Sequence, residues 1–143
     1  MIGAKNIGIN IEPPSQKCDD TKCPFHGNLT VRGRQFNGIV LSTKMRKTAV
    51  MEFERLHFLK KYERYEKRRT KLKAHNPECI NAKAGDIVMV MECRPLSKTK
   101  NFVIIQKLGE QKGFKGKMEA RDAAKIEAKK EEISTQEVIK DAH

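Results

Sequence analysis

Between residues 34 and 108 the apolar positions recur with a period of two, in short runs broken by turn residues, which predicts β-strands. Five can be placed. The first spans about Gln35 to Thr43 and the second about Thr48 to Phe58, where Ala49, Met51 and Phe53 alternate with Val50, Glu52 and Glu54. Beyond Glu54 the larger apolar residues, Leu56 and Phe58, fall on the opposite parity, so a β-bulge or strong coil is expected near Arg55. The third strand, Tyr65 to His75, puts Lys67, Arg69, Lys71, Lys73 and His75 on one face and Thr70, Leu72 and Ala74 on the other. As a helix the same stretch offers only Leu59, Tyr62 and Tyr65 at apolar spacing, a series that ends before Leu72. Ala84-Gly85-Asp86 announces the fourth strand, about Asp86 to Arg94, and the fifth is about Phe102 to Leu108.

This pattern predicts an all-β domain, a five-stranded OB-fold barrel over residues 34–108. Residues 1–33, with Pro13-Pro14 and scattered Gly and Asn, read as an irregular N-terminal extension. The connection from Asn76 to Gly85 is too short for the full helix that many such barrels carry there. Residues 109–143 open on a Gly/Lys linker and continue as an Ala/Glu/Lys-rich tail, helical or disordered, with a helix expected over Met118 to Glu132 and a capping box at Ser134 and Glu137.

Charge changes the picture from a fold to a class of partner. The net charge is +12, and residues 34–108 hold 18 of the 30 basic but only 7 of the 18 acidic side chains. Such a field favours a polyanion. Twelve of these 18 basic groups fall on three elements. These are the loop Lys44-Met45-Arg46-Lys47 after strand one, the loop Arg94 to Asn101 after strand four, and the third-strand comb with Arg64 and Arg68 beside it. In an OB barrel both loops lie beside the face of strands two and three, where oligonucleotides bind. Phosphate and sugar contacts from Lys and Arg, with the Ser97 and Thr99 hydroxyls in a loop stiffened by Pro95, would then hold a nucleic-acid backbone. Tyr62 and Tyr65 at the hairpin tip are candidates to stack on unpaired bases or to pack on neighbouring Lys and Arg stems.

Other classes find little support. There is no P-loop, dinucleotide fingerprint, nucleophile elbow or HExxH, and Gly109, Gly113 and Gly116 sit in a linker after the last strand, so no enzyme and no small-molecule substrate is expected. A free-standing OB protein binding single strands is the alternative, but it needs a row of exposed aromatics, and aromatic content is 6% without Trp. The basic residues lie on strands rather than on an amphipathic helix, the opening residues do not read as a secretory signal and no 18-residue apolar run occurs anywhere in the sequence, so a soluble, intracellular protein without a membrane partner is expected.

Cys18, Cys23 and His26 have the short spacing that can wrap zinc, whose closed structural sites need four ligands. Asp19, Asp20 and the distant Cys79 are candidates for the fourth, and reduced thiols in a turn are the alternative. Cys93 is expected to pack within strand four, and His57 reads as a strand residue rather than a catalyst.

The segments GRQFNGIVLSTKMRKTAV, KRRTKLKAHNP and AGDIVMVMECRPLSKTKNFVII together resemble ribosomal small-subunit protein seventeen in its archaeal form. Cys23-Pro24-Phe25-His26-Gly27 is similar to a CPF-x-G stretch of the eukaryotic counterpart, which lacks this His. The resemblance covers roughly residues 6–108 and excludes the 109–143 extension. It implies an OB-fold protein, ribosome-bound in the cytoplasm, that contacts small-subunit ribosomal RNA in its 5′ domain, beside neighbouring small-subunit proteins. It further implies that Lys44, Lys47, Arg94, Ser97, Lys98, Thr99 and Lys100 touch that RNA.

Overall fold

A computed structural model describes residues 4–124, 126 and 127. Five strands, β1 (Val31–Met45), β2 (Thr48–Leu59), β3 (Arg64–His75), β4 (Asp86–Ser97) and β5 (Lys100–Glu110), close a barrel in the order β1-β2-β3-β5-β4. All pairings are antiparallel except β3 with β5, which is parallel and confined to Ala74↔Phe102 and His75↔Val103. This is the OB topology expected from the sequence. The connection from β3 to β4 forms only a short turn, with Ile80 and Asn81 N–H groups both donating to the Pro77 carbonyl.

The barrel interior is filled by Val40, Ala49, Met51, Ala74, Val88, Val90 and Ile104, with Phe36, Phe53, Leu72 and Phe102 closing the cluster. Gly38 is required where β1 crosses β2, because a Cβ there would sit 2.6 Å from the Glu52 carbonyl oxygen and 2.4 Å from Met51 Cε.

A second cluster lies outside the barrel wall. Val103 and Ile105 point away from Ile104 and pack with Cys93 against Cys23, Phe25 and Leu29 of the N-terminal segment, so three successive residues of β5 are buried. That segment is irregular, as its composition predicts, but it is not an appendage. Residues 4–30 cover one outer face of the barrel, and Phe25, 1% exposed, is the largest apolar side chain they contribute. Burying a side chain of that size is worth about 1.5–3 kcal/mol.

Two strand-level expectations are corrected. No bulge occurs near Arg55: the β2–β3 register is continuous from Thr48↔His75 to Leu59↔Arg64. The irregularities lie instead in β1 and between β4 and β5. The parity change arises because the hairpin beyond Glu54 projects past the barrel and has no inner face, leaving Leu56 and Phe58 exposed. The expected loop 94–101 is likewise strand: β4 continues to Ser97, and Lys98-Thr99 is a two-residue turn closed by Ser97↔Lys100. Pro95 fits there because no β4–β5 ladder pair forms between Glu92 and Ser97, so its missing N–H is not needed by that ladder.

Lys112–His143 form a separate unit. Its described part is helical over residues 114–124 and at 126–127, starting earlier than the Met118 expected. The Ser134/Glu137 capping box lies outside the described residues. No helix among the described residues is long and apolar enough to cross a membrane.

Candidate nucleic-acid interface and cysteine cluster

The barrel brings the two basic turns to the same end. Arg46 and Lys47 make the tight β1–β2 turn, closed by Met45↔Thr48, with Lys47 in the left-handed region at φ 50°. Lys98 and Thr99 make the β4–β5 turn, and the Lys100 ammonium donates to Thr48 Oγ1 at 3.1 Å, joining the two turns directly. Lys44, Arg46, Arg94, Ser97, Lys98 and Thr99 are exposed around this end, while Lys47 and Lys100 are half-buried. A groove of about 390 Å³ lies between the β1–β2 turn and the β3–β4 connection, lined among others by Lys44, Arg46, Lys47 and Lys83.

From this end β3 carries charge outward. Arg64, Lys67, Arg68, Arg69, Lys71 and Lys73 are all exposed. Two are partly neutralised, Arg68 by Glu66 and Arg69 by Glu54 at 3.5 Å and Glu52 at 3.9 Å. Among the described residues Lys44, Arg46, Arg64, Lys67, Lys71, Lys73, Arg94 and Lys98 make no ion pair. At the hairpin tip Tyr65 packs on Phe58 with ring centroids 5.1 Å apart, and the Lys61 ammonium sits 5.3 Å from the centre of the Tyr62 ring. Both tyrosines remain exposed.

His75 is removed from the comb. It keeps the outward parity, but the N-terminal segment covers that end of β3, and the ring is 1% exposed with Nε2–H donating to Asp20 Oδ2 at 2.8 Å. A side chain so enclosed cannot meet a phosphate. Burial pushes the Asp20 carboxyl up, but the Lys22 N–H at 3.1 Å, His75 and Lys47 together outweigh it and hold the group below its ordinary range. Lys47 also pairs with Glu78 at 2.9 Å, so this cation ties the turn to the β3–β4 connection as well as facing outward. Periodicity could not reveal the Asp20–His75–Lys47 network, since its members lie far apart in sequence.

The cysteine cluster converges. Cys18 Sγ, Cys23 Sγ, His26 Nδ1 and Cys79 Sγ all lie within 4.8 Å of one another, so Cys79 joins the local trio, and Asp20 is held by His75 and Lys22 instead. The segment is wound tightly. Cys23 N–H donates to the Asp20 carbonyl, Gly27 N–H to the Cys23 carbonyl and Asn28 N–H to the Thr21 carbonyl. A thiol hydrogen bond from Cys79, with the His26 and Phe25 N–H groups, outweighs burial and holds Cys23 far below an ordinary thiol, while the same contact and burial push Cys79 up. Cys93 stands outside this group, buried in the outer cluster as expected.

The family profile described as Ribosomal protein S17 matches residues 38–106. The chain is 57% identical over 115 residues to the small ribosomal subunit protein uS17 of Methanocaldococcus jannaschii, covering 80% of this chain and 98% of that protein. It is 54% identical over 105 residues to the uS17 of Methanopyrus kandleri, covering 73% and 89%, and 59% identical over 102 residues to that of Methanococcus maripaludis, covering 71% and 94%. With these matches and the OB topology, the chain belongs to the ribosomal protein S17 family, a structural and non-catalytic one.

Proposed function

We propose that this protein is a ribosome-bound, cytoplasmic constituent of the small subunit that holds folded small-subunit ribosomal RNA, in its 5′ domain, against the barrel end and the outer face of β3, beside neighbouring small-subunit proteins. One observation supports this reading above the others. Three basic elements meet where Lys100 reaches Thr48, and most of their cations have no acidic partner among the described residues. Solvation alone gives no reason for that convergence. Exposed Lys and Arg on a twisted strand suit the phosphates and 2′-hydroxyls of an A-form surface, whose base edges are inaccessible in the deep groove. Of the aromatic rings, Phe36, Phe53 and Phe102 pack on the barrel cluster, with Phe36 stacked on Phe53 at 4.8 Å and tilted against Phe102 at 5.8 Å, and the exposed Phe58, Tyr62 and Tyr65 sit on the projecting hairpin rather than in a row across the barrel face.

The test is salt-dependent binding of the full chain to a transcript of the small-subunit 5′ domain. Replacing Lys44, Arg94 and Lys98 with Ala is expected to weaken binding and lower the slope of log K against log salt by about 0.7 for each phosphate no longer neutralised. These three are chosen over Lys47, whose ion pairs with Asp20 and Glu78 give it a second role. Unchanged affinity and slope would sink the assignment.

A further inference from the structure

The ribosomal reading leaves the cysteine cluster without a role, and its geometry supplies one. A tetrahedral zinc ion with bonds of about 2.3 Å to sulfur and about 2.0–2.1 Å to nitrogen separates its ligands by roughly 3.8 Å between sulfurs and roughly 3.5 Å between sulfur and nitrogen. The observed separations are 3.6 Å for Cys23 Sγ to Cys79 Sγ, 3.4 Å for Cys18 Sγ to His26 Nδ1 and 3.7 Å for Cys23 Sγ to His26 Nδ1. A disulfide requires about 2.05 Å between sulfurs, and all four cysteines are free thiols. Three of the six separations therefore match those around a zinc ion, and the other three are no longer than 4.8 Å.

The surrounding backbone fits the same reading. The N–H groups of Phe25 and His26 both point at Cys23 Sγ, the kind of hydrogen bonding that supports a metal-bound thiolate. Gly27 makes this winding possible, since a Cβ there would lie 2.4 Å from the Thr21 carbonyl oxygen and 2.6 Å from that of Asp20. Cys23 and Cys79 are buried and Cys18 and His26 half-buried, so the centre would be enclosed yet reachable from one side.

We propose that Cys18, Cys23, His26 and Cys79 bind one structural zinc ion that bolts the N-terminal segment to the β3–β4 connection. Three thiolates and one imidazole make a closed set with no open position, so the role is structural rather than catalytic. The ion would fasten the cover over the outer cluster of Phe25, Val103 and Ile105, where the irregular segment has no strand ladder to hold it. The proposal concerns the free protein and is independent of RNA binding.

The experiment uses the full chain, purified under reducing conditions. Elemental analysis is expected to find stoichiometric zinc, and chelation to lower the melting temperature. Replacing zinc by cobalt(II) is expected to give tetrahedral d–d bands and thiolate charge transfer with the intensity of three sulfurs. Cys79→Ser is expected to weaken zinc binding by more than the roughly 10–100-fold typical of losing a supporting residue, while Cys93→Ser leaves metal content unchanged. Substoichiometric zinc with four freely titrating thiols would overturn the proposal. A cobalt spectrum with only two thiolates, read on the unmutated chain and so independent of how Cys79→Ser folds, would also overturn it.

Discussion

The β2–β3 ladder contains twelve consecutive residue pairs, but its two halves meet different surroundings. From Thr48 to Phe53 the ladder is barrel wall: Ala49 and Met51 are fully buried, Thr48 and Glu52 are buried beside them, and Val50 and Phe53 are half-buried. From Glu54 to Leu59 the same two strands extend beyond the barrel by about 20 Å, at ~3.3 Å per residue. There Leu56 and Phe58 are exposed and Arg64, Lys67 and Arg68 line the returning strand. Hydrophobic alternation reports burial only where a sheet has a core to face. Past that point the same residue types carry a different meaning, and the projecting half can be all charge and aromatic ring because no core constrains it.

The sharpest way to break this comparison is to delete apolar atoms in each half. Met51→Ala opens a void inside the closed cluster and is expected to cost about 2–5 kcal/mol of unfolding free energy by denaturant titration. Leu56→Ala, on the projecting half, is expected to stay within about 0.5 kcal/mol of the parent. Equal losses at the two sites would mean that the hairpin packs on something in the free protein. A smaller effect probes the hairpin's own cohesion. The Phe58 and Tyr65 rings, 5.1 Å apart across the strands, are expected to show a coupling of about 0.5–1.5 kcal/mol in a double-mutant cycle. Zero coupling would make both rings free surface.

The elements most legible in the sequence were those with a period. The five strands, their order and the short β3–β4 connection follow from alternation and turn residues, because a barrel wall has one dry side. Three things resisted. The N-terminal segment buries Phe25 and Leu29 and presses Ile7 and Ile9 against the same cluster, but irregular chain has neither a period of two nor of 3.6, so its apolar residues look scattered. His75 looks like the last tooth of a cationic comb, since nothing local shows that Asp20, 55 positions earlier, lies over it. The strand character of Arg94 to Ser97 was obscured by Pro95, which signals a loop unless ladder pairing lapses around it. The cysteine trio was visible from spacing alone, whereas the choice of Cys79 over the nearby aspartates depends on where the β3–β4 connection returns.

Whether β3 is an RNA-binding surface or merely a solvated one decides the function proposed for the molecule. The direct measurement is the salt dependence of 5′-domain RNA binding for the parent and for Lys67→Gln/Lys71→Gln/Lys73→Gln, three exposed cations without ion pairs among the described residues. An RNA-binding β3 predicts unchanged thermal stability, weaker binding and a slope shallower by about 0.7 for each phosphate released. Parent-like affinity and slope in a stably folded triple variant would contradict it.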